Sequence, residues 1–140
     1  MLVSTKGRYA LRVMLELAQR LADSYTPLPV IAERQSVSEK YLESIVVLLS
    51  RAGLVEGVRG KGGGYRLTRS IDQYSVGEIL RLTEGSLAPV TCLEGSENTC
   101  PRAGQCHTLP MWEKLDSLIN GYLDSVSLAD LLKQTDGSSL

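Results

Sequence analysis

The run Arg59-Gly60-Lys61-Gly62-Gly63-Gly64 constrains this chain more than any other six residues. Four glycines in six positions rule out a helix and permit the positive φ angles of an extended hairpin tip. On either side, Leu54–Val58 and Tyr65–Leu67 read as two short strands. Arg59 and Lys61 charge the tip, and Arg66 and Arg69 continue the positive pattern beyond it. A nucleotide-phosphate loop is rejected. A P-loop needs Gly-Lys-Ser/Thr opening a helix and a dinucleotide loop needs G-x-G-x-x-G before one, whereas a strand follows here.

Three helices are expected ahead of this hairpin. Ser4 or Thr5 can cap the first, which runs to about Ala22 with Ala10, Val13, Met14, Leu17, Ala18 and Leu21 on one apolar face. After a turn containing Pro27 and Pro29, a short second helix covers about Pro29 to Gln35. Ser38 then caps a third helix, in which Leu42, Ile45, Val46 and Leu49 must face the core. Advancing 100° per residue puts Lys40, Glu43, Ser44, Val47 and Arg51 on the opposite side. A short helix, a three-residue turn and a capped helix with a polar outer stripe is the helix-turn-helix arrangement. The outer stripe suits a DNA major groove, with Lys40 and Ser44 near base edges or phosphates, although a solvated helix face would look the same. The basic hairpin decides between them, because a hairpin directly after a helix-turn-helix is a wing. An arginine at its tip suits a narrow, electronegative minor groove.

Charge supports this reading. The net charge is −1, yet residues 1–70 carry eleven Lys/Arg against six Asp/Glu, and residues 71–140 carry four against ten. A basic half joined to an acidic half implies that the first half meets a polyanion. No apolar run approaches a membrane span, and a cytoplasmic location is expected. With one histidine and no pair of carboxylates in a shared pocket motif, nothing resembles a catalytic constellation, so no enzyme is expected.

The acidic half supplies a sensor-like loop and a long helix. Ser75 and Glu78 form a capping box for a helix from Val76 to about Leu82. From about Leu109 a helix runs to Ser125, with Pro110 in its first turn. Its stripe of Trp112, Leu115, Ile119, Tyr122, Leu123 and Val126 has little else in a chain of 140 residues to cover it, so pairing with a two-fold mate is expected. Ser127 and Asp130 cap a last short helix ending near Lys133, and Thr135 to Leu140 reads as a frayed tail.

Between these elements lie all three cysteines, Cys92, Cys100 and Cys106, followed by the sole histidine, His107. The loop around them is polar, whereas free cysteines prefer the interior, so their clustering calls for a chemical reason. Soft thiolates suit an iron–sulfur cluster or zinc. Zinc sites more often show C-x2-C pairs, and the side chains of adjacent residues such as Cys106 and His107 seldom reach one tetrahedral ion. An odd cysteine count and the lack of a leading signal segment argue against a disulfide framework.

Four segments together resemble a known family: Ser4-Thr5-Lys6-Gly7-Arg8-Tyr9-Ala10, Tyr41-Leu42-Glu43, Val58-Arg59-Gly60-Lys61-Gly62-Gly63-Gly64-Tyr65, and the three cysteines with Trp112 shortly after. They are similar to the Rrf-type winged-helix regulators, particularly the IscR-like iron–sulfur cluster regulators, with NsrR, RirA and CymR as relatives. The resemblance covers nearly the whole chain. It implies a mainly α fold with a small β-hairpin wing: a winged helix-turn-helix domain over residues 1–82, a cluster-binding loop over 83–108, and a dimerisation helix with a short terminal helix over 109–134. It also implies a homodimeric transcriptional regulator, mainly a repressor, that binds a double-stranded operator of approximate two-fold symmetry.

Carried over by position, Cys92, Cys100 and Cys106 become ligands of an iron–sulfur cluster, 2Fe–2S favoured over 4Fe–4S. The family pattern has a histidine three residues after the third cysteine. Leu109 stands there in this chain, which leaves His107 or Glu43 as the fourth ligand. DNA contacts are expected from Lys6, Arg8, Ser38, Lys40, Tyr41, Glu43, Ser44, Arg51, Arg59, Gly60 and Lys61; the resemblance implies Tyr41, Glu43 and Ser44 on the recognition helix, with Glu43 selecting sequence and Arg59 in the minor groove. The dimer interface would comprise Trp112, Leu115, Ile119, Tyr122 and Leu123. Expected target genes concern iron–sulfur assembly or iron and cysteine supply. Two rivals remain at this stage: a thiol-redox or zinc-dependent regulator on the same fold, and a small iron–sulfur redox protein, which would leave the wing and the basic half unexplained.

Overall fold

A computed structural model describes residues 3–135, so the tail expected to be frayed lies outside the described residues from 136 onward. The elements run α1 (Thr5–Ala18), α2 (Leu28–Gln35), α3 (Glu39–Arg51), β1 (Val55–Val58), β2 (Gly64–Leu67), α4 (Val76–Glu84), α5 (Leu109–Ser125) and α6 (Leu128–Thr135). Short 3-10 turns occupy Ile71–Gln73, Thr91–Leu93 and Ala103–Gln105. The architecture is mainly helical with one antiparallel hairpin.

Ser4 caps α1 by accepting a hydrogen bond from the Gly7 amide at 3.0 Å. The helix ends at Ala18, four residues earlier than its apolar pattern predicts. There the Gln19 and Arg20 amides bond to the carbonyls of Glu16 and Leu17, three residues back, which tightens and closes the helix. Leu21 matches the period but is 82 % exposed, because the helix has ended before it and the helical period no longer sets its direction. The core-facing residues of α1 and α3 are as expected: Ala10, Val13, Met14, Leu42, Ile45, Val46 and Leu49 are wholly buried.

Between α2 and α3, Ser36 adopts a left-handed conformation at φ 56°. The Val37 amide then reaches back to the Ala32 carbonyl at 3.0 Å, a Schellman-type stop for α2. Ser38 caps α3 by accepting from the Tyr41 amide at 3.1 Å. Three residues therefore suffice to turn the chain between the two helices.

The hairpin pairs Val55 with Leu67, Glu56 with Arg66, Gly57 with Tyr65 and Val58 with Gly64. A third strand-like contact holds β2 from its other edge: the Thr26 amide donates to the Tyr65 carbonyl at 2.8 Å, and the Tyr65 amide returns to the Thr26 carbonyl at 2.9 Å. Gly64, at φ 144°, lies so close to this crossing that a Cβ there would strike the Thr26 backbone. The wing thus stays docked against the start of α2.

Ser75 caps α4 through the Glu78 amide at 3.0 Å, but the Glu78 carboxylate does not return to complete a box. It pairs instead with Arg69, at 2.9 and 3.0 Å, tying α4 to the chain just past β2. In α6 the reciprocal box does form, with Ser127 and Asp130 bonding each other's amides at 2.9 and 3.0 Å. Leu128 is fully buried in the main core with residues of α1 and α3, so α6 returns to the N-terminal half. A second cluster, Val76, Leu80, Leu87 and Val126, receives Ile119 and Leu123 from α5.

Candidate nucleic-acid interface and thiol loop

Helix α2 is held against α1 by a polar hub as well as by the core, and a ring contact carries the hub on to α3. Glu16, only 7 % exposed, accepts from Arg20 at 2.9 and 3.2 Å and from the Gln35 side-chain amide at 3.0 Å. Arg34 approaches the same carboxylate at 3.5 Å. Arg12 donates to the Gln35 side chain at 2.7 Å and lies 4.5 Å from the centre of the Tyr9 ring. Tyr9 in turn meets Tyr41 edge-on, with ring centroids 6.0 Å apart. A buried carboxylate is costly unless its partners are fixed, so this network locks α1, α2 and the first turn of α3 into one geometry. Periodicity cannot reveal Glu16, because its partners lie outside its own helix, in α2 and just past the end of α1.

On the outer side of α3 an open concavity is lined by Lys6, Lys40, Glu43, Ser44, Val47, Leu48 and Arg51. The structure thereby brings the start of α1 and the face of α3 together as one basic surface. Arg8 donates to Thr5 within the same α1 turn at 3.3 Å. The other expected contacts fall into two groups. Ser38 and Tyr41 have local structural work, the first as cap and the second half-buried against Tyr9. The Ser44 hydroxyl donates to the Tyr41 carbonyl at 2.6 Å, leaving its lone pairs for a ligand.

The wing tip is closed by a hydrogen bond from the Gly63 amide to the Gly60 carbonyl at 2.9 Å. Gly60 and Gly62 have φ of 96° and 80°, values that ordinary side chains rarely adopt. Arg59, Gly60 and Lys61 are all exposed. Five ion pairs occur among the described residues, using Arg20, Arg34, Arg66, Arg69 and Arg81. Lys6, Arg8, Lys40, Arg51, Arg59 and Lys61 take part in none of them. Five arginines of the scaffold are paired with carboxylates of the chain, while the six cations of this face are in no such pair and stand ready for an external anion.

The three cysteines are unbridged and half-buried. Cys92 sits in the 3-10 turn Thr91–Leu93, Cys100 precedes the turn before Ala103–Gln105, and Cys106 follows that turn next to α5. Their donor chemistry suits a soft metal or an iron–sulfur cluster. Their placement does not gather them: no three His, Cys, Asp or Glu side chains among the described residues converge closely enough to hold a metal. His107 is exposed, and Glu43 stands on the outer face of α3 beside Lys6 and Lys40. A cluster would require the loop to draw these thiols together.

Cys106 has a distinctive environment. Its sulfur lies 3.3 Å from the Thr108 hydroxyl, and that bond, with the backbone amides of Thr108 and Leu109, holds the thiol below its ordinary range. Thr108→Val removes the hydroxyl donor and is expected to slow iodoacetamide alkylation of Cys106 severalfold at pH 7. The thiolate fraction falls faster than intrinsic nucleophilicity rises. Peptide-resolved mass spectrometry measures the rate, with Cys92 and Cys100 as internal references; an unchanged Cys106 rate would refute the assignment.

Along α5, Met111, Leu115, Leu118 and Tyr122 are 54, 38, 56 and 64 % exposed. They follow an i, i+4, i+7, i+11 spacing, that of a helix–helix seam. Of the expected interface, Leu115 and Tyr122 lie on this open stripe, Trp112 is half-buried, and Ile119 and Leu123 pack toward α4. Met111 and Leu118 were not expected at the seam, although their spacing was visible in the sequence.

Comparison with known proteins agrees with this geometry. The model of the Rrf2 family, described as iron-dependent transcriptional regulator, matches residues 3–134. The HTH-type transcriptional regulator CymR of Bacillus subtilis is 40 % identical over 137 residues, covering 98 % of this chain and 94 % of CymR. The structure of CymR, described as the global cysteine regulator of B. subtilis, superposes with a TM-score of 0.78 at 37 % identity, covering 97 % of this chain and 99 % of that one. The HTH-type transcriptional regulator IscR of Aliivibrio salmonicida is 39 % identical over 132 residues, covering 94 % of this chain and 77 % of IscR. The structure of T. potens IscR gives a TM-score of 0.77 at 39 % identity, covering 100 % of this chain and 92 % of that one.

Proposed function

Since the chain belongs to the Rrf2 family of transcriptional regulators, we propose that it is a homodimeric repressor whose operator choice depends on an iron–sulfur cluster held by its thiol loop. Residues 1–82 form the winged helix-turn-helix unit, 83–108 the sensing loop and 109–134 the dimer helix with its terminal partner. The DNA is a duplex of approximate two-fold symmetry, read by α3 in the major groove and by Arg59 in the minor groove. No described helix is long and apolar enough to cross a membrane.

The observation that carries this reading is the position of three unbridged thiols immediately before the open stripe of α5. Cys92, Cys100 and Cys106 would hold the cluster, 2Fe–2S in preference to 4Fe–4S, with His107 or Glu43 completing the set. When bound, the cluster supplies a cross-link that oxidants or iron shortage can remove. The protein's own residues pass the state of the loop onward. Cys106 adjoins the first turn of α5, and α5 is fastened to α4 by Arg81, which bonds Asp124 at 2.8 and 3.0 Å and Asn120 at 2.7 Å. From α4, Glu78 grips Arg69 at the end of the wing. Loop order therefore biases the relative placement of dimer seam and wing, and a ligand that favours one placement shifts DNA affinity.

A metal-free thiol sensor on the same fold is the second reading. It is favoured by the acidified Cys106 thiol and by the lack of convergence among the cysteines. The kinship with CymR, described as the global cysteine regulator, supports it too.

One preparation separates the two. Protein purified without oxygen is examined by visible absorbance, with iron and acid-labile sulfide assayed on the same sample. Charge-transfer bands with stoichiometric sulfide, lost in Cys92→Ser, Cys100→Ser and Cys106→Ser, are the expected result, with target genes in iron–sulfur assembly or iron and cysteine metabolism. A colourless, metal-free protein whose DNA affinity still changes on mild oxidation would replace the cluster by the thiols themselves.

A further inference from the structure

Among the outward residues of α3, one is apolar and yet exposed; its apolar neighbour in the concavity, Leu48, is half-buried. Lys40, Glu43, Ser44 and Arg51 are charged or polar, whereas Val47 is apolar and 38 % exposed. The core has no use for it, since Leu42, Ile45, Val46 and Leu49 already fill the inner face with no exposure at all. Val47 lies instead in the concavity that Lys6, Lys40, Glu43 and Arg51 surround, the surface whose cations are unpaired. A polyanion seated on those cations brings its groove over Val47.

A base edge in the major groove offers hydrogen-bonding atoms at nearly every position; its one apolar group is the C5-methyl of thymine. A valine can satisfy none of the polar atoms, and its stiff β-branched side chain cannot turn away from them. Over a purine edge or the cytosine amine it would bury a donor or acceptor without a partner, which is costly, and the bare C5–H of cytosine offers no methyl to pack on. Val47 lies one helical turn beyond Glu43, about 6 Å along the axis, or one to two base-pair steps of ~3.4 Å. We propose that Val47 is a specificity-determining residue that packs on the methyl group of one thymine in each half-site, near the base met by Glu43. This rests on the reading of α3 as the recognition helix and adds the base that the position demands.

The test uses the full chain and an operator recovered by selection from randomised duplex DNA. Each thymine is replaced in turn by deoxyuridine, which removes only the methyl, and binding is measured for the wild type and for Val47→Ala. The expected result is one position per half-site at which the wild type loses affinity about three- to fivefold, the worth of one buried methyl, while Val47→Ala shows no difference. Val47 is exposed, so unchanged thermal melting should show that the variant is folded. Tight binding with no uracil-sensitive position, or with the same sensitivity in Val47→Ala, would overturn the role of Val47 and leave α3 as the reading helix. Failure to select any sequence would overturn both.

Discussion

Leu118→Glu is expected to convert the protein to a monomer and to lower operator affinity by roughly 10²–10⁴, the gain that linking two half-site readers confers. Leu118 lies 56 % exposed in the middle of the Met111, Leu115, Leu118, Tyr122 stripe. A carboxylate there would have to be desolvated against its own two-fold copy, a cost that the flanking apolar contacts cannot offset. Because Leu118 makes no part of either core cluster, the single chain should still fold. Light scattering after gel filtration and a titration of operator DNA measure the two effects. A variant that stays dimeric and binds DNA as before would remove α5 from the interface. The wild type should also melt at a temperature that rises with protein concentration, and the variant should not.

Tyr74→Phe should lower stability by about 2–3 kcal/mol and the melting temperature by about 5–10 °C, read by urea and thermal unfolding. Tyr74 is completely buried. Its hydroxyl donates to the Leu54 carbonyl at 2.7 Å and accepts from the amides of Thr68 and Arg69 at 2.8 and 3.0 Å. That oxygen thereby joins the entry to β1 with the exit from β2. Phenylalanine keeps the ring and its contact with the Arg69 guanidinium, 5.0 Å from the ring centre, so the loss isolates the hydroxyl. Faster hydrogen exchange at Thr68 and Arg69 should accompany it. A change below about 0.5 kcal/mol, the low end for a single hydrogen bond, would show that the hairpin is held by packing alone.

How much of this was legible in the chain depends on whether the signal is local. The inner faces of α1 and α3, the caps at Ser4, Ser38 and Ser75, and the glycine-rich hairpin follow from spacing and backbone chemistry, and all are present. Leu21 shows the limit, since periodicity marks apolar residues without knowing where the helix ends or what faces them. The same ambiguity divides α5, where Ile119 and Leu123 pack inward while Met111 and Leu118 stay open. Thr26 pairs through one residue, too short to alternate. Glu16 and the second partner of Glu78 depend on side chains distant in sequence. For the thiol loop, composition shows that it is not core, whereas nothing in the spacing of its cysteines places the three sulfurs relative to one another.

The return of α6 has a consequence for how this protein can be cut and recombined. Leu128, from near the end of the described chain, fills the centre of the first core, and its amide bonds the Tyr74 carbonyl at 3.1 Å. The Val76 amide bonds the Val126 carbonyl at 2.9 Å beside it. The DNA-reading half is therefore not a portable module: a gene fusion or truncation that keeps only residues 1–82 would inherit a hole where Leu128 belongs.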